Sequence, residues 1–440
     1  MEKLNNMMIY HELPALIVEN NKGKELVIFS NVNEEFVACK IDFEDRDNKE
    51  IYDELVQNGF FDCITNSSNY KSDELTLVLS LTEKCNCRCR YCFLDANICG
   101  KVMTKELLRD SIDKAIELAN GRIINLSAFG GEPGTETDLL TEMVEYSKTI
   151  KNQKFKYSIT TNGIFNEKVL KLLIDNKFSV SFSMDGLPMV QNYQRPLANG
   201  KDSYNVVEPT LKKLVENNIN LKVRCTVTKF SVDKMVETVR WLHNIGVKKV
   251  HFEPVTPGGR GCNDNDLLQP PSARDFAENL IAAIKVGSNL GVDVICFPYM
   301  NMMIAPIIFC DGNINNRLVV SPEGVLSTCV EVQKREHELF SYLGLGNYNF
   351  ENRTFDIEYN ERRGAKRGCE ALKESKRACK LCPLKFFCGG GCPTRNYRGT
   401  GNSEKVDEYR CDIIRLVMPY VLTEFYKSTF LEGGVSDEES

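Results

Sequence analysis

The sequence lacks the features that mark membrane and secreted proteins. Its 440 residues contain no apolar run that approaches the roughly 20 residues needed to cross a bilayer. The N-terminus, MEKLNNMMIYHELPALIVEN, has no basic start, no long apolar middle and no small-residue cleavage site of a secretory signal. We therefore expect a cytoplasmic protein with no membrane partner.

Basic clusters and histidines are also scarce. The net charge is -6 and no block of Lys and Arg stands out, which predicts no nucleic-acid partner. The chain has 4 histidines but 18 cysteines. Without a secretion signal, so many thiols do not indicate a disulfide framework. Thiolates with few histidines favour iron–sulfur clusters over zinc.

The apolar pattern divides the chain into four parts. Residues 1–73 place apolar segments before a helical stretch, DNKEIYDELVQNGFF, and predict a small N-terminal α+β domain. Residues 74–295 alternate short strands with amphipathic helices. Residues 296–431 are loop-rich and cysteine-rich up to a closing helix, and the polar, acidic residues 432–440 are predicted to be disordered.

The second part predicts an α/β fold. Regular strand–helix alternation indicates parallel βαβ units, and six of them predict a partial (β/α)6 barrel of the TIM type. The six predicted strands are residues 75–81, 123–129, 156–161, 178–184, 221–227 and 249–255. In such folds the chemistry lies beyond the carboxyl ends of the strands, where the motifs described next occur.

The first predicted barrel strand is followed by the segment CNCRCRYC. Cys85, Cys89 and Cys92 form the pattern CxxxCxxC there, with the aromatic Tyr91 before the last cysteine. Three thiolates suit a 4Fe-4S cluster whose fourth iron is free to bind a substrate. Cys87 fits no position of that pattern, which keeps a zinc loop as an alternative.

This segment resembles the radical S-adenosylmethionine (SAM) superfamily, in which the open iron chelates the methionine part of SAM. FGGEP (129–133), TTNG (160–163) and SMDG (183–186) follow in order at the next strand ends. The resemblance implies that SAM is bound by Tyr91, Gly130, Gly131, Glu132, Pro133, Thr161, Asn162, Ser183, Asp185 and Arg195. It also implies a 5′-deoxyadenosyl radical that removes a hydrogen atom from the substrate, and an electron donor such as flavodoxin or ferredoxin.

The C-terminal cysteines resemble the SPASM extension of radical SAM peptide and protein maturases. The resemblance implies an outer auxiliary cluster held by Cys379, Cys382, Cys388 and Cys411, and an inner one held by Cys310, Cys329 and Cys392. The fourth inner ligand is either Cys369 or a thiolate of the substrate. The chain would then carry three 4Fe-4S clusters, one for SAM and two auxiliary.

The same resemblance leaves two kinds of substrate. One is a ribosomally synthesised (RiPP) precursor peptide with a leader, into which an oxidative crosslink is installed, with a thioether C–S bond preferred to a C–C bond. The other is an anaerobic sulfatase, in which a Ser or Cys becomes formylglycine. In that second branch an aspartate base directly follows an inner-cluster cysteine, whereas here Cys329 is followed by Val330 and Glu331. Glu331 is the candidate catalytic carboxylate.

Two further interpretations remain. A non-catalytic, zinc-binding scaffold is the alternative from a different class of protein. Residues 1–73 have the size and order of the leader-recognition (RRE-like) domain of many peptide maturases, which adds the leader to its sheet as an extra strand. Those residues could equally form a cap that shields the barrel.

Overall fold

The structure is a computed structural model. For four strands between residues 7 and 42 it describes the backbone only. Elsewhere it describes residues 57, 73–261, 265–296, 316–357, 379, 382, 384, 388, 390–403 and 405–427.

The N-terminal strands form an antiparallel sheet in the order β1-β2-β3-β4. These strands are β1 Met7–Tyr10, β2 Leu13–Asn20, β3 Gly23–Val32 and β4 Glu35–Asp42. Their register places Ala15 opposite Ile28 and Phe29 opposite Ala38. Apart from residue 57, the predicted helix of this region lies outside the described residues.

A second sheet of 11 strands contains the predicted barrel, and the predicted α/β fold is confirmed. Its parallel strands are β5 Glu74–Thr82, β6 Ile123–Gly130, β7 Phe155–Thr161, β8 Ser179–Ser183, β9 Asn220–Val227, β10 Lys249–Pro254 and β11 Asp293–Ile295. Neighbours along the chain are neighbours in the sheet from β5 to β11. All carboxyl ends of these strands therefore lie at one edge, as the barrel prediction requires.

Helices connect the parallel strands. They are α1 Lys105–Ala119, α2 Thr137–Thr149, α3 Glu167–Asp175, α4 Pro188–Gln194, α5 Tyr204–Glu216, α6 Met235–Ile245 and α7 Ala273–Leu290. Side chains of Thr104, Asn166 and Ser272 accept hydrogen bonds from first-turn N–H groups and so fix where three of these helices begin. None of the helices that the structure describes is both long and apolar enough to cross a bilayer.

The sheet continues past β5 with strands that the sequence did not predict. These are β12 Arg317–Val320, β13 Val325–Ser327, β14 Gly344–Asn349 and β15 Thr354–Ile357. β12 pairs parallel to β5, whereas the next three strands pair antiparallel. The helices here are α8 Phe340–Leu343, α9 Pro393–Thr400 and α10 Glu408–Lys427, the last being the predicted closing helix, which packs against α7.

Candidate functional site

The cysteine loop lies directly after β5 at the carboxyl edge of the barrel sheet. Cys85, Cys89 and Cys92 all line one cleft, and Cys87 lines it with them. Backbone hydrogen bonds hold the loop in place, including Cys85 N to Asn97 O at 2.6 Å. The CxxxCxxC spacing therefore brings three thiols to one cavity.

Cys85 and Cys89 are buried, and their surroundings set the protonation of these two thiols. Burial, the nearby Glu132 carboxyl and neighbouring thiolates raise the pKa of Cys85 to about 12. A hydrogen bond from Cys87 lowers the pKa of Cys89 to about 6, although burial opposes that shift. The Nδ2 atom of Asn162 donates to Cys85 Sγ at 3.7 Å. A buried thiolate group needs a compensating positive charge, which iron ions would supply.

The FGGEP segment lies against the cysteine loop. Gly131 N donates to Thr82 O at 2.7 Å and Glu132 N donates to Lys84 O at 2.8 Å. A Cβ atom on Gly131 would lie 2.1 Å from Lys84 O, and one on Gly130 would lie 2.3 Å from Thr82 O. Only glycine permits this approach, because the obstructing atoms are backbone carbonyls.

Glu132 is a buried carboxylate with three hydrogen-bond donors. It accepts from Gly134 N at 2.8 Å, Thr161 Oγ1 at 2.7 Å and Asn162 N at 2.6 Å. Burial raises its pKa to about 7 although these donors oppose the shift. Glu132, Thr161 and Asn162 therefore form one unit that joins the ends of two strands beside the thiols.

A second hydrogen-bonded unit orients Tyr91 and Arg195. Tyr91 Oη donates to Asp185 Oδ2 at 2.5 Å and accepts from Arg195 Nη1 at 2.7 Å. Asp185 also accepts from Gln194 Nε2 at 2.7 Å and Thr226 N at 2.9 Å, so it holds its neighbours in place. Arg195 lines the cleft, and its buried Nε has no hydrogen-bond partner among the described residues. That orphaned donor is available for a ligand carboxylate.

The predicted SAM-binding residues thus separate into two groups. The cleft is lined by Tyr91, Gly130, Gly131, Glu132, Thr161, Asn162, Ser183 and Arg195. Asp185 instead acts behind Tyr91, and Pro133 begins a short buried turn after Glu132.

Charged residues from β9, β10 and the C-terminal part complete the cleft wall. The cleft is also lined by four charged residues that were not predicted from the sequence: Arg224, Glu253, Arg260 and Arg395. The buried Arg410 of α10 donates a hydrogen bond from Nη2 to Glu253 Oε1. The other carboxylate oxygen of Glu253, Oε2, lies 3.3 Å from His251 Nε2. The contact with Arg410 ties the C-terminal helix to the barrel strand. Arg224 and Glu253 are single charged residues on strands, Arg260 follows β10 and Arg395 lies on α9, so no shared spacing pattern marks the four in the sequence.

Several of the described C-terminal cysteines lie close enough to influence one another's protonation. Burial raises the pKa of Cys388 to about 12, and the nearby thiolates of Cys411, Cys382 and Cys379 add to that shift. Burial likewise raises the pKa of Cys329 to about 12, with contributions from Glu331 and Cys392. Two further predicted inner-cluster ligands, Cys310 and Cys369, lie outside the described residues.

Glu331 is held by two arginines of α9. Its Oε2 lies 2.6 Å from Arg398 Nη2, and its Oε1 lies 4.0 Å from Arg395 Nη2. The same arginine, Arg398, donates to Pro257 O at 2.7 Å. Glu331 therefore links the segment after Cys329 to α9 and, through Arg398, to the barrel loop.

Within the described ranges, no group of three or more His, Cys, Asp or Glu side chains is placed to hold a single metal ion.

Sequence comparisons identify related proteins. Residues 79–242 match the family model described as Radical SAM superfamily. An uncharacterized protein of Methanocaldococcus jannaschii is 30% identical over 183 residues, 41% of this chain and 63% of that protein, so the match spans less than two thirds of it. The cysteine-type anaerobic sulfatase-maturating enzyme of Clostridium perfringens strain 13 is 24% identical over 340 residues, 72% of this chain and 88% of that enzyme. The radical SAM cyclopropyl synthase TigE of Paramaledivibacter caminithermalis is 23% identical over 94% of this chain and 92% of that enzyme.

Solved structures share the fold. A structure of anSMEcpe with bound AdoMet and the Kp18Cys peptide has a TM-score of 0.64 at 19% identity, covering 80% of this chain and 99% of that one. Streptococcus suis SuiB bound to its precursor peptide SuiA has a TM-score of 0.54 at 15% identity, covering 91% of this chain and 98% of that one. At these identities the likeness concerns the fold alone.

Proposed function

Because residues 79–242 form a radical SAM domain, we propose that this enzyme is a maturase that installs an oxidative crosslink in a ribosomally synthesised precursor peptide. The observation that carries the proposal is the single cleft that gathers Cys85, Cys89 and Cys92 with Glu132 and Arg195. Relatives over most of the chain, a sulfatase-maturating enzyme and a cyclopropyl synthase, support modification of a peptide.

The residues of the cleft have separate tasks. A 4Fe-4S cluster on the three thiols, with SAM, would supply the 5′-deoxyadenosyl radical that removes a hydrogen atom from the peptide. Glu132 offers a carboxylate to the ammonium group of SAM, and Arg195 offers its orphaned Nε to the carboxylate. Tyr91 and Asp185 keep Arg195 in position. The buried walls exclude water from a reactive radical.

We further propose auxiliary 4Fe-4S clusters at the two C-terminal cysteine groups. Cys379, Cys382, Cys388 and Cys411 offer a full set of four ligands for the outer one. The inner set of Cys310, Cys329 and Cys392 needs either Cys369 or a substrate thiolate. A substrate thiolate would place a peptide sulfur at the reaction site, which favours a thioether over a C–C bond. Crosslinking removes two hydrogen atoms from the peptide, so one electron must leave to an acceptor.

Formylglycine formation is the second candidate, and the C. perfringens relative supports it. In this chain Cys329 is followed by Val330, and the carboxylate of Glu331, one residue further on, is paired with Arg398 at 2.6 Å. An apolar side chain therefore occupies the position of the aspartate base of that branch, which supports the crosslinking function.

For residues 1–73 we propose leader recognition. A four-stranded antiparallel sheet with β1 and β4 at its described edges offers a place for an added strand. Deleting residues 1–73 should weaken precursor binding at least tenfold while the barrel still cleaves SAM without product formation. Unchanged precursor affinity would assign this sheet to shielding the barrel.

The proposed function is tested by coexpression with short peptides encoded beside the gene, followed by mass spectrometry. A thioether predicts the loss of two hydrogen atoms together with loss of one alkylatable cysteine. A C–C crosslink predicts the same mass change with all cysteines still alkylatable. An aldehyde that reacts with a hydrazide would indicate formylglycine instead, and unmodified peptides in every case would contradict the proposal.

A further inference from the structure

The cysteine loop presents different side chains to the cleft and to the surface. Cys87 and Cys89 are buried, whereas Arg88 and Arg90 are exposed. The loop is extended here, because Arg88 N donates to Pro196 O at 2.7 Å and Arg90 N to Gln194 O at 2.9 Å. Successive side chains of an extended segment point to opposite faces. One layer of backbone therefore separates the thiols from two surface arginines.

Aromatic and apolar residues lie beside Arg90. The Arg90 guanidinium lies 4.6 Å from the ring centroid of Tyr193, and the Tyr193 and Phe230 rings are 4.3 Å apart. Phe230 N donates to Leu267 O at 3.0 Å, and Leu267 is 47% exposed. We call Arg88, Arg90, Tyr193, Phe230 and Leu267 the basic face. Arginine and aromatic residues are enriched in protein interfaces, so the basic face has the composition of a docking surface.

We propose that the basic face docks a small acidic one-electron carrier protein of the flavodoxin or ferredoxin class. The inference rests on the proposed function, which places a redox cluster at Cys85, Cys89 and Cys92. Electron tunnelling slows steeply with distance, and the inner side of the loop faces the cleft for SAM and substrate. The carrier must therefore approach from outside, where the basic face lies one backbone layer from the thiols.

The electron transfer from the carrier to the cluster needs no further reactant. The reduced carrier loses one electron and the oxidised cluster gains it, with no proton or bond exchanged. Positive charge on the basic face attracts an acidic carrier and orients its prosthetic group toward the loop. Acidic residues in place of Arg88 and Arg90 would repel the same carrier.

The first test measures binding, using an acidic flavodoxin and the reconstituted full chain under anaerobic titration calorimetry. Arg88→Glu/Arg90→Glu should weaken flavodoxin binding about tenfold at low ionic strength. At high salt, the affinities of wild type and this variant should differ by less than about threefold. Lys151→Glu/Lys154→Glu is the matched control, because it makes the same charge change at exposed sites before β7, at the opposite edge of the sheet. The control should keep wild-type affinity.

The second test compares electron sources in each variant. The rate of 5′-deoxyadenosine formation with flavodoxin and its reductase is divided by the rate with dithionite, a small reductant that needs no docking. This ratio should fall about tenfold in Arg88→Glu/Arg90→Glu. It should stay within about threefold of wild type in Arg88→Lys/Arg90→Lys, which keeps both positive charges. If Arg88→Glu/Arg90→Glu lowers iron content, Arg88→Gln/Arg90→Gln replaces it in both tests.

The outcomes separate the two proposals. If carrier affinity and the rate ratio of Arg88→Glu/Arg90→Glu equal those of Lys151→Glu/Lys154→Glu, the docking proposal is overturned and electrons enter elsewhere. If wild type forms no 5′-deoxyadenosine even with dithionite, the proposed function fails instead. The binding measurement still decides the docking proposal in that case.

Discussion

Replacing Glu253 by Gln should destabilise the chain by breaking the contact between β10 and α10. The Glu253 and Arg410 side chains are 10% and 6% exposed, so the substitution removes a buried negative charge from beside the Arg410 guanidinium. Removing one partner of a buried ion pair costs about 3–5 kcal/mol. Gln keeps one oxygen acceptor, which places the expected loss near the lower limit, about 3 kcal/mol. For a cooperative unit of roughly 150–250 residues, that loss lowers Tm by about 6–12 °C.

The pH dependence has a defined sign. Although burial acts in the opposite direction, Arg410 and His251 hold the pKa of Glu253 well below its ordinary value of 4.5. The stabilisation is therefore complete above pH 4.5 and is lost as pH falls through the depressed value. The Tm difference between wild type and Glu253→Gln should be constant from pH 6 to 8.

A thermal-melting cycle tests this reasoning. Arg410→Met alone should also destabilise, whereas the double variant should lose less than the sum of the two, since it leaves no unpaired buried charge. Arg415→Met on the same helix is the control, because its contact with Asp412 at 3.3 Å is exposed and contributes roughly 0–1 kcal/mol. Strict additivity, or a Glu253→Gln effect no larger than that of Arg415→Met, would refute the buried ion pair as a stabilising contact.

Two further predictions concern SAM binding. The Glu132 carboxyl, whose pKa burial raises to about 7, should bind the SAM ammonium only when ionised, so affinity measured by equilibrium dialysis should rise about tenfold from pH 6 to 8. Glu132→Gln should give a flat profile; a flat wild-type profile would exclude this role. Gly131→Ala should weaken SAM binding tenfold or more, because its Cβ would lie 2.1 Å from Lys84 O. Gly121→Ala, before β6 at the opposite edge of the sheet, is the control for SAM affinity: its Cβ meets no atom within 4 Å, although its φ of 85° makes alanine strained there. Equal losses of SAM affinity in both variants would contradict the steric explanation.

The sequence predicts the barrel well because its strands and helices are long and periodic. All six predicted strands occur as β5 to β10, each followed by its predicted helix. The short strands β11 and β12, of three and four residues, were missed because so few residues show no alternation. Pairing of β12 with β5 depends on contacts between residues more than 200 positions apart, which no local pattern reports.

In the candidate site, too, features with a local sequence pattern could be predicted, whereas those that depend on distant contacts could not. Cysteine and glycine motifs at strand ends predicted which loops meet, and the thiols and FGGEP segment do meet in one cleft. The role of Asp185 as a support for Tyr91 could not be predicted, since it depends on side-chain directions across two strands. Arg224 and Glu253 were missed for a related reason, because a single charged residue in a strand gives no spacing signal.

We propose above all that Cys85, Cys89 and Cys92 hold the cluster that cleaves SAM. The most direct measurement is 5′-deoxyadenosine formation by anaerobically reconstituted protein with dithionite and SAM, compared with the Cys85→Ala/Cys89→Ala/Cys92→Ala variant. Three clusters predict about twelve iron and twelve sulfide per wild-type chain, about eight of each in the variant, and product formation by wild type alone. Product formation by the variant at the wild-type rate, or a wild-type protein that takes up only zinc, would contradict the claim.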